Sequence, residues 1–514
     1  MSANGNGHRG DQITDELRAE LLRRRLSGTG KNKAGTGRAA FPSADRDKPL
    51  RTSFGQQQMW LLNRMQPDSP EYLVPLVLRM RGPLDAEVLR RSLEHILGRH
   101  EVLRSRYVLE ESGLVQVVDA PRHLEMPLVD LSATPPAERD DHARGLVEKE
   151  VSVSIDLEQE WPVRAMLLKC DDQEHILTVT FHHIACDAWS MRLFAEELST
   201  LYRAFASGTD VRLAPLTVQY ADYAAWQNRH FSGDVMEQHL AYWREQLADL
   251  PSLELPTDRP RPVERSWAGD LTPLTVPADL ADRVRDLAKR HNTTLFTVLL
   301  TAYQALLSRH TRSTDIPVGV TVSGRGRPEL QQLIGYGINT LVIRGQWAPN
   351  ASFEELIAGT GATLMSAFDH QAAPFALLVD ELQPDRDLSR TPLFQVDFIL
   401  QQDRATAFDL PGLDVEVLTG AHTSKFDLTL ELLESAGGAL SGHLRYATAL
   451  FDSGTIERLG RQFLRLLESV TADPTRPVAL ADVLPAEDRG VLVGEWASSV
   501  EVPVEWCVHE VFEQ

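Results

Sequence analysis

The chain alternates between two faces from His175 to Phe181, with apolar side chains on one face and β-branched ones on the other. This period of two predicts a half-buried β-strand. Shortly afterwards, apolar residues recur every three or four positions, which predicts one stripe of an amphipathic helix. That stripe is formed by Met191, Phe194, Leu198, Leu201 and Phe205. A short loop therefore joins a strand to a helix, and such flanking elements can hold functional side chains in place.

The same two periods predict strands and helices along most of the chain. The predicted strands are 72–80, 114–118, 163–168, 316–322 and 444–446. The predicted helices are one capped by Asp85, an acidic helix at 136–151, two helices at 280–289 and 295–307, and one striped from Ile456 to Leu467. The chain thus contains both strands and helices along its length.

The second half of the chain repeats the pattern around the first loop. The strand at 444–446 is followed by a loop with Asp452 and then by an amphipathic helix, just as the first strand leads to a loop with Asp187. Tyr446 and Ala447 stand where the first copy has histidines. If this is a duplication, only the first copy kept a side chain that can act as a base.

At 514 residues the chain is too long for one ordinary core, and its length predicts two to four domains or subdomains. A Pro-rich segment at 255–262 can continue neither a helix nor a central strand, so we place a connection between two lobes there. The predicted units are a flexible N-terminal segment with a short helix (1–48), a first lobe (49–220), the connection (221–265), a second lobe (266–492) and the beginning of a further segment (493–514). The N-terminal unit is expected to be a solvated tether, with a docking helix for a partner protein as the alternative.

The charge is strongly acidic, with 52 basic and 73 acidic residues, a formal net charge of -21 and a pI near 5.2. We find no basic patch, so a nucleic-acid role is not expected. No apolar run approaches the roughly 18 residues that span a bilayer, and the N-terminus lacks the apolar core of a signal peptide. Three scattered cysteines, Cys170, Cys186 and Cys507, are too few for a disulfide framework, which fits a reducing cytoplasm.

The loop between the first strand and helix concentrates the candidate chemistry, because it contains His182, His183 and Asp187. A neutral imidazole at a strand end can take a proton near pH 7, since its unperturbed pKa is about 6.5. A buried carboxylate is costly without an arginine or backbone donors, so Asp187 is interpreted as a brace for the loop. Adjacent histidines in a strand point to opposite faces, which disfavours a shared metal ion. Cys186 is interpreted as a small residue filling the turn, and no Gly-x-Ser-x-Gly elbow indicates a serine hydrolase.

Several motifs of the chain resemble those of condensation domains of nonribosomal peptide synthetases. The loop, with His182-His183 followed by Asp187 and Trp189-Ser190, resembles the signature of that family. Other stretches that resemble family motifs, in the same order, are Ser53 to Trp60, Arg99 to Arg106, Ile334 to Arg344, His370 to Phe375 and Arg390 to Gln395. The resemblance spans about 49–492, and the number of ordered motifs makes it specific.

This resemblance implies an α/β (α+β) fold in which two chloramphenicol-acetyltransferase-like lobes form a V-shaped pseudodimer, with a tunnel between them that passes His183. It also implies that the amine of an acceptor aminoacyl thioester attacks a donor acyl or peptidyl thioester and forms an amide. Both substrates would arrive on phosphopantetheine arms of carrier proteins, so the domain itself would bind no cofactor. The tail from Cys507 to Glu513 is similar to the opening of an adenylation domain, which makes that domain an expected partner. Since no carrier domain precedes the lobes, we expect the donor on a separate chain.

Residue roles are assigned from the same resemblance. His183 is the expected catalytic or positioning residue, and two roles for it stay open: removing a proton or orienting the amine. His182 and Asp187 are expected to be structural, with Arg104 as the partner of Asp187 and Arg99 as the alternative. The residues expected to line the loop and the channel are Cys186, Ala188, Trp189, Ser190, Tyr336 and Asn339.

Ala188 departs from the family pattern, which usually has glycine directly after the aspartate. The backbone N–H survives this change, so an oxyanion-type donor is retained. We expect Ala188 either to narrow the donor side near His183 or to alter the loop, since alanine disfavours positive φ.

Three alternative functions share part of this pattern. An epimerisation domain has the same signature but normally precedes another condensation domain. A modified condensation domain would also dehydrate or cyclise the residue that it joins. A non-catalytic platform that recruits a tailoring enzyme would usually have damaged motifs, whereas His183 is intact. A heterocyclisation domain is excluded, because it would have an aspartate in place of His182.

Overall fold

The strand predicted before the loop is β7 (Glu174–His182), the central strand of a five-stranded sheet. Both faces of β7 are buried, since Leu177 packs into one apolar cluster and Ile176 into another. The second cluster includes Ala143, which lies on a helix that covers the β-branched face. The prediction of a half-buried strand was therefore wrong in this respect, because β-branched residues are apolar enough to be covered as well.

The computed structural model describes residues 41–382, 387, 389–402, 408–418, 423–435 and 437–495. The short helix expected in the N-terminal segment lies outside the described residues, as do Cys507 and the segment expected beyond residue 495. Within the described ranges, no helix is both long and apolar enough to cross a membrane.

The first lobe contains the five-stranded sheet and a small antiparallel sheet of three strands. Its strands are β1 (Leu50–Arg51), β2 (Leu73–Arg81), β3 (Ser105–Glu110), β4 (Gly113–Val118), β5 (Leu128–Asp130), β6 (Val163–Lys169) and β7. Its helices are α1 (Phe54–Met65), α2 (Ala86–Arg99), α3 (Pro136–Ser152) and α4 (Ala188–Ala206). β7 pairs antiparallel with β2 and with β6, and β5 runs parallel to β6 at the edge.

Two helices, α5 (Tyr220–His230) and α6 (Asp234–Gln246), lead to the second lobe. The remaining strands are β8 (Gly269–Val276), β9 (Asp315–Ser323), β10 (Ile338–Gln346), β11 (Val396–Gln402), β12 (Asp414–Leu418), β13 (Leu428–Glu434) and β14 (Leu440–Ala447). The remaining helices are α7 (Ala278–Arg290), α8 (Leu295–Thr311), α9 (Phe353–Asp369), α10 (Phe375–Leu382), α11 (Ser453–Ala472) and α12 (Ala486–Gly490). The six-stranded sheet of this lobe has the order β10, β9, β11, β13, β14, β8. The predicted α/β fold with two lobes is confirmed.

One strand crosses from the second lobe to the first. β12 pairs antiparallel with β2 and places Val415 opposite Met80 in the first sheet. Phe408 and Leu410, shortly before β12, pack into the apolar cluster of the first lobe. The second lobe thus covers an edge of the first sheet, which protects the unpaired backbone groups there and ties the lobes together.

The repeated strand, loop and helix pattern is present in both lobes. In the first lobe, Asp187 caps α4 by accepting a hydrogen bond from the backbone N–H of Ser190. In the second lobe, Asp452 stands at the same place before α11, but its carboxylate pairs with Arg259 and makes no capping bond. Similar backbones therefore carry aspartates with different contacts.

Part of the predicted N-terminal tether contacts the first lobe and α5. Arg46 forms ion pairs with Asp222 and Glu101, at 2.5 and 2.7 Å. The ring of Phe41 packs edge to face on Trp226, with 5.1 Å between the ring centres. The predicted tether therefore does not extend through residues 41–47.

Candidate active site

His183 lies where the chain leaves β7 and enters a short 3-10 turn, His183–Ala185. Its backbone N–H donates to the carbonyl of Tyr72 over 2.7 Å, which anchors the turn to the segment before β2. His182, the last residue of β7, is opposite Leu73 in the sheet. The site is thus built at one end of the central strand of the first lobe.

The imidazole of His183 is fixed through Nδ1, which lies 2.6 Å from the carbonyl oxygen of Cys186. A carbonyl oxygen only accepts hydrogen bonds, so Nδ1 carries the proton in the neutral ring and Nε2 keeps its lone pair. Burial, followed by the positive charge of Lys425, lowers the pKa of His183 to about 4. The ring is therefore neutral near pH 7 and presents Nε2 as a hydrogen-bond acceptor.

His182 has the opposite hydrogen-bond pattern and is buried. Its Nδ1 accepts from the backbone N–H of Ile184 over 3.1 Å, and its Nε2 lies 3.5 Å from the side-chain amide of Asn63. Burial, followed by the charges of His183 and Lys425, lowers the pKa of His182 to about 3. Among the described residues, no group of three or more His, Cys, Asp or Glu side chains is arranged to hold a metal ion.

Asp187 is buried, and each of its carboxylate oxygens has two donors. Oδ1 accepts from the backbone N–H and the hydroxyl of Ser190, over 2.9 and 2.8 Å. Oδ2 accepts from Nη1 of Arg325 over 2.6 Å and from the backbone N–H of Gly337 over 2.9 Å. Burial alone would raise the pKa of Asp187, but the charge and hydrogen bond of Arg325 and the two backbone donors lower it below its usual value. Asp187 is therefore an ionised carboxylate that holds the loop in place.

Neither arginine that we predicted as the partner of Asp187 contacts it. Arg104 donates to the backbone carbonyl of Asp119, and Arg99 pairs with a glutamate of α4 over 2.9 Å. The partner is Arg325, which is 138 residues away from Asp187 in the chain. The prediction of Arg104 was wrong, because the ion pair of Asp187 is formed between the lobes, whereas Arg104 contacts a backbone carbonyl within the first lobe.

Arg325 follows β9 and is almost inaccessible to solvent. Besides Asp187, its guanidinium donates to the carbonyl of Gly335 over 2.8 Å and to the hydroxyl of Ser190 over 3.1 Å. The sequence contained one signal for this residue, since a buried aspartate requires a cation or several donors. The sequence does not indicate which cation pairs with Asp187, because contacts between lobes leave no periodic pattern in the sequence.

The other loop residues surround the beginning of α4. Nε1 of Trp189 donates to the carbonyl of Gln331 over 2.8 Å, which ties the helix to the second lobe. Cys186 is buried, and burial raises the pKa of its thiol, so the thiolate that a nucleophile needs is disfavoured. Ala188 is exposed and lies in the first turn of α4 with a helical backbone, not one with positive φ. The change in loop conformation that we expected from Ala188 is therefore not seen.

The two channel residues predicted in the second lobe have different contacts. The ring of Tyr336 packs edge to face on His183, with 5.2 Å between ring centres and 79° between planes. Gly55 leaves room for this ring, since a Cβ there would lie 2.5 Å from Cδ1 of Tyr336. Asn339 instead donates to two backbone carbonyls of the turn at 371–373, over 2.9 and 2.7 Å. Tyr336 thus contacts His183 directly, whereas the amide of Asn339 braces a neighbouring turn.

Comparison with known proteins matches most of the chain to one family. Residues 48–493 match the family model of the condensation domain. One of the linear gramicidin synthase proteins of Brevibacillus parabrevis is 39% identical over 477 residues, which cover 91% of this chain and 9% of that protein. Malpinin synthetase of Mortierella alpina is 38% identical over 478 residues, which cover 92% of this chain and 6% of that protein. The chain therefore spans about a tenth or less of the length of these relatives.

Solved structures with similar folds include the X-domain from teicoplanin biosynthesis. It is 27% identical with a TM-score of 0.78, and the match covers 87% of this chain and 100% of that one. The complex of the X-domain and OxyB from the same biosynthesis gives a TM-score of 0.80 at 27% identity, with 88% and 99% covered.

Proposed function

The chain belongs to the condensation-domain family, and from this we propose that it joins a donor acyl or peptidyl thioester to the amine of an acceptor aminoacyl thioester. Both thioesters would be carried on phosphopantetheine arms of carrier proteins. The observation that carries the proposal is the state of His183, whose Nδ1 is fixed by the carbonyl of Cys186 while Nε2 keeps its lone pair. A neutral imidazole held in this way can receive the N–H of an incoming amine.

The proposed reaction forms one C–N bond and breaks one C–S bond. The acceptor amine attacks the carbonyl carbon of the donor thioester, and its nitrogen becomes positively charged and acidic. Nε2 of His183 accepts this proton and returns it to the leaving thiolate, which departs as a thiol. With a pKa near 4, His183 is a weak base toward a free ammonium ion. Its first contribution is therefore to orient the neutral amine through a hydrogen bond.

His182, Asp187 and Arg325 are proposed to act through the loop and not on the substrate. All three are buried, and their hydrogen bonds are directed to protein groups around the turn that holds His183. A catalytic side chain needs this kind of support, because a displacement of about 1 Å can reduce a rate by about 100-fold.

The proposed partners are donor and acceptor carrier proteins and an adjacent adenylation domain. This assignment is supported by the family and by the similarity to a linear gramicidin synthase. The domain itself is proposed to bind no cofactor, because each substrate would bring its own phosphopantetheine arm. A cytoplasmic location is proposed from the cysteines, since Cys170 and Cys186 are buried free thiols.

One reaction tests this function. Two carrier proteins are loaded with a donor and an acceptor, this protein is added, and the products are read by intact-protein mass spectrometry. We expect the donor mass to move to the acceptor carrier, and His183→Ala to reduce the rate by about 100-fold or more. His142→Ala is the matched control, since His142 is exposed on α3. Full activity of His183→Ala would contradict the proposed role.

A second candidate is a platform that binds a tailoring enzyme. The observation that favours it is the similarity to the X-domain, which was solved in a complex with OxyB. A platform predicts no transfer by either the wild type or His183→Ala. In the same experiment, an additional loss of water would indicate a modified condensation domain. An epimerisation domain would invert the configuration without transfer, and since this leaves the mass unchanged, it is measured by chiral chromatography of the acyl group released from the carrier.

A further inference from the structure

A lysine of the second lobe faces the backbone segment that holds His183. Lys425 lies on the segment 423–427 that leads into β13, and its Nζ is 5.3 Å from the centre of the Tyr72 ring. The carbonyl of Tyr72 is the acceptor for the backbone N–H of His183. The charge of Lys425 also lowers the pKa values of both loop histidines. The lysine therefore stands beside the candidate active site without belonging to any motif recognised in the sequence.

The backbone on both sides of Lys425 is fixed. Before it, the N–H of Ser424 donates to the carbonyl of Trp267 over 3.0 Å. After it, the carboxylate of Asp427 pairs with the guanidinium of Arg261. The backbone of Lys425 is thus held in a defined position, which is required of a residue that acts on a substrate.

The charge of Lys425 interacts with the carboxylate of Glu71 and the guanidinium of Arg265. Glu71 is buried and lies 3.8 Å from Nη2 of Arg265, whose guanidinium also stacks on the ring of Trp267 at 3.6 Å. Burial raises the pKa of Glu71 to about 7, against the lowering effect of Lys425 and Arg265. Burial also lowers the pKa of Lys425, and the carboxylate of Glu71 opposes this lowering. A negative charge that forms on a bound ligand would favour the protonated ammonium in the same way, so an electron-rich ligand atom would complement this position.

We propose that the ammonium of Lys425 donates a hydrogen bond to the carbonyl oxygen of the donor thioester, with Glu71 and Arg265 as positioning residues. The proposal rests on the proposed amide-forming function. When the amine attacks, the C–O double bond opens and the oxygen becomes negative; when the C–S bond breaks, the carbonyl is restored. A cation already in place stabilises the charged intermediate more than the neutral thioester. In the tetrahedral intermediate, His183 would then contact the amine nitrogen and Lys425 would contact the oxygen. Both of these atoms are bonded to the same carbon.

The first test compares single-turnover amide formation between loaded carriers for the wild type, Lys425→Met, Lys425→Arg and Lys289→Met. Lys289 is exposed on α7 and pairs with Asp286, so its replacement removes one positive charge away from the site. We expect Lys425→Met to reduce the rate constant by about 100-fold or more, and Lys425→Arg to restore part of it. Lys289→Met should equal the wild type. Equal rates for Lys425→Met and Lys289→Met would overturn the proposal.

The second test needs no turnover. It measures the binding of two pantetheine derivatives: the S-methylphosphonyl ester, which is tetrahedral and anionic like the intermediate, and neutral S-ethylpantetheine. Lys425→Met should weaken binding of the phosphonyl ester by about tenfold and leave S-ethylpantetheine unchanged, which also shows that the variant is folded. Equal affinities of wild type and variant for the phosphonyl ester, or equal losses for both ligands, would overturn the proposal. If the wild type forms no amide but this selective loss occurs, the proposed function fails and the assignment of Lys425 as an oxyanion ligand stands.

Discussion

Arg325 and Asp187 form a buried ion pair that joins loops of different lobes. Nη1 of the arginine lies 2.6 Å from Oδ2 of the aspartate, and the two side chains are 3% and 0% exposed. The arginine follows β9 in the second lobe, and the aspartate precedes α4 in the first. The pair therefore holds the loop of His183 against the second lobe, so both stability and turnover depend on it.

Asp187→Asn is expected to reduce the free energy of unfolding by about 3–5 kcal/mol, because it leaves the guanidinium of Arg325 buried without its counter-ion. Denaturant unfolding at neutral pH measures this difference. Arg104→Gln is the control, since Arg104 donates to a backbone carbonyl within the first lobe, and we expect a loss of about 1 kcal/mol. Equal losses for the two variants would contradict the assignment of Arg325 as the partner.

Combining Asp187→Asn with Arg325→Gln is expected to recover part of the lost stability. Neither side chain of the double variant is charged, so no uncompensated ion remains in the interior. The measurement is a double-mutant cycle of unfolding free energies, in which we expect a coupling energy of about 1–3 kcal/mol. Additive losses would show that the two residues do not act as a pair.

The sequence predicts contacts within one element far better than contacts between lobes. β7 and α4 were predictable because their periods are local, and Asp187 stands between them where a helix cap is needed. Arg325 was not predictable, because the residues next to it in the sequence do not indicate that it pairs with a buried aspartate 138 residues away. The same holds for β12, whose five residues complete a sheet of the other lobe. Lys425 is a further example, since only the fold brings it near His183.

Gly55→Ala is expected to displace the ring of Tyr336 from His183. A Cβ at position 55 would lie 2.5 Å from Cδ1 of that ring, which itself packs on the imidazole at 5.2 Å. We expect the single-turnover rate to fall by about tenfold to 100-fold, because the imidazole loses the contact that fixes one of its edges. Gly98→Ala in α2 is the control, since a Cβ there has no heavy atom within 4 Å. It should keep the wild-type rate and gain about 0.5–1 kcal/mol in stability; equal rates for both variants would contradict the prediction.

The two loop histidines are expected to reduce stability in mild acid. Burial lowers the pKa of His182 to about 3 and that of His183 to about 4, whereas an unfolded histidine titrates near 6.5. Between about pH 6.5 and pH 4 the unfolded chain binds more protons at these positions, so the free energy of unfolding decreases as the pH falls. From pH 7 to pH 5 each histidine should account for a loss of about 2 kcal/mol.

His182→Asn isolates one of these contributions. Its side-chain oxygen can replace Nδ1 as the acceptor for the N–H of Ile184, but the residue does not titrate. The stability lost between pH 7 and pH 5 should be about 2 kcal/mol smaller than in the wild type. His142→Asn, at an exposed position of α3, is the control for the same substitution outside the loop. A wild-type pH dependence in His182→Asn would refute the assignment of a neutral buried imidazole.

Ala188→Gly is expected to change which donors are accepted, without changing the loop. Ala188 is exposed and helical, so glycine removes a methyl group and needs no new backbone conformation. If this methyl group narrows the donor side, the ratio of single-turnover rates for a bulky and a small donor should rise by about tenfold in Ala188→Gly and fall in Ala188→Val. Ala137→Gly is the matched control, because Ala137 is also exposed in the first turn of a helix, α3. Each glycine should cost up to about 1 kcal/mol of stability, but Ala137→Gly should leave the donor ratio at the wild-type value. An unchanged ratio in Ala188→Gly would show that the methyl group does not limit the donor.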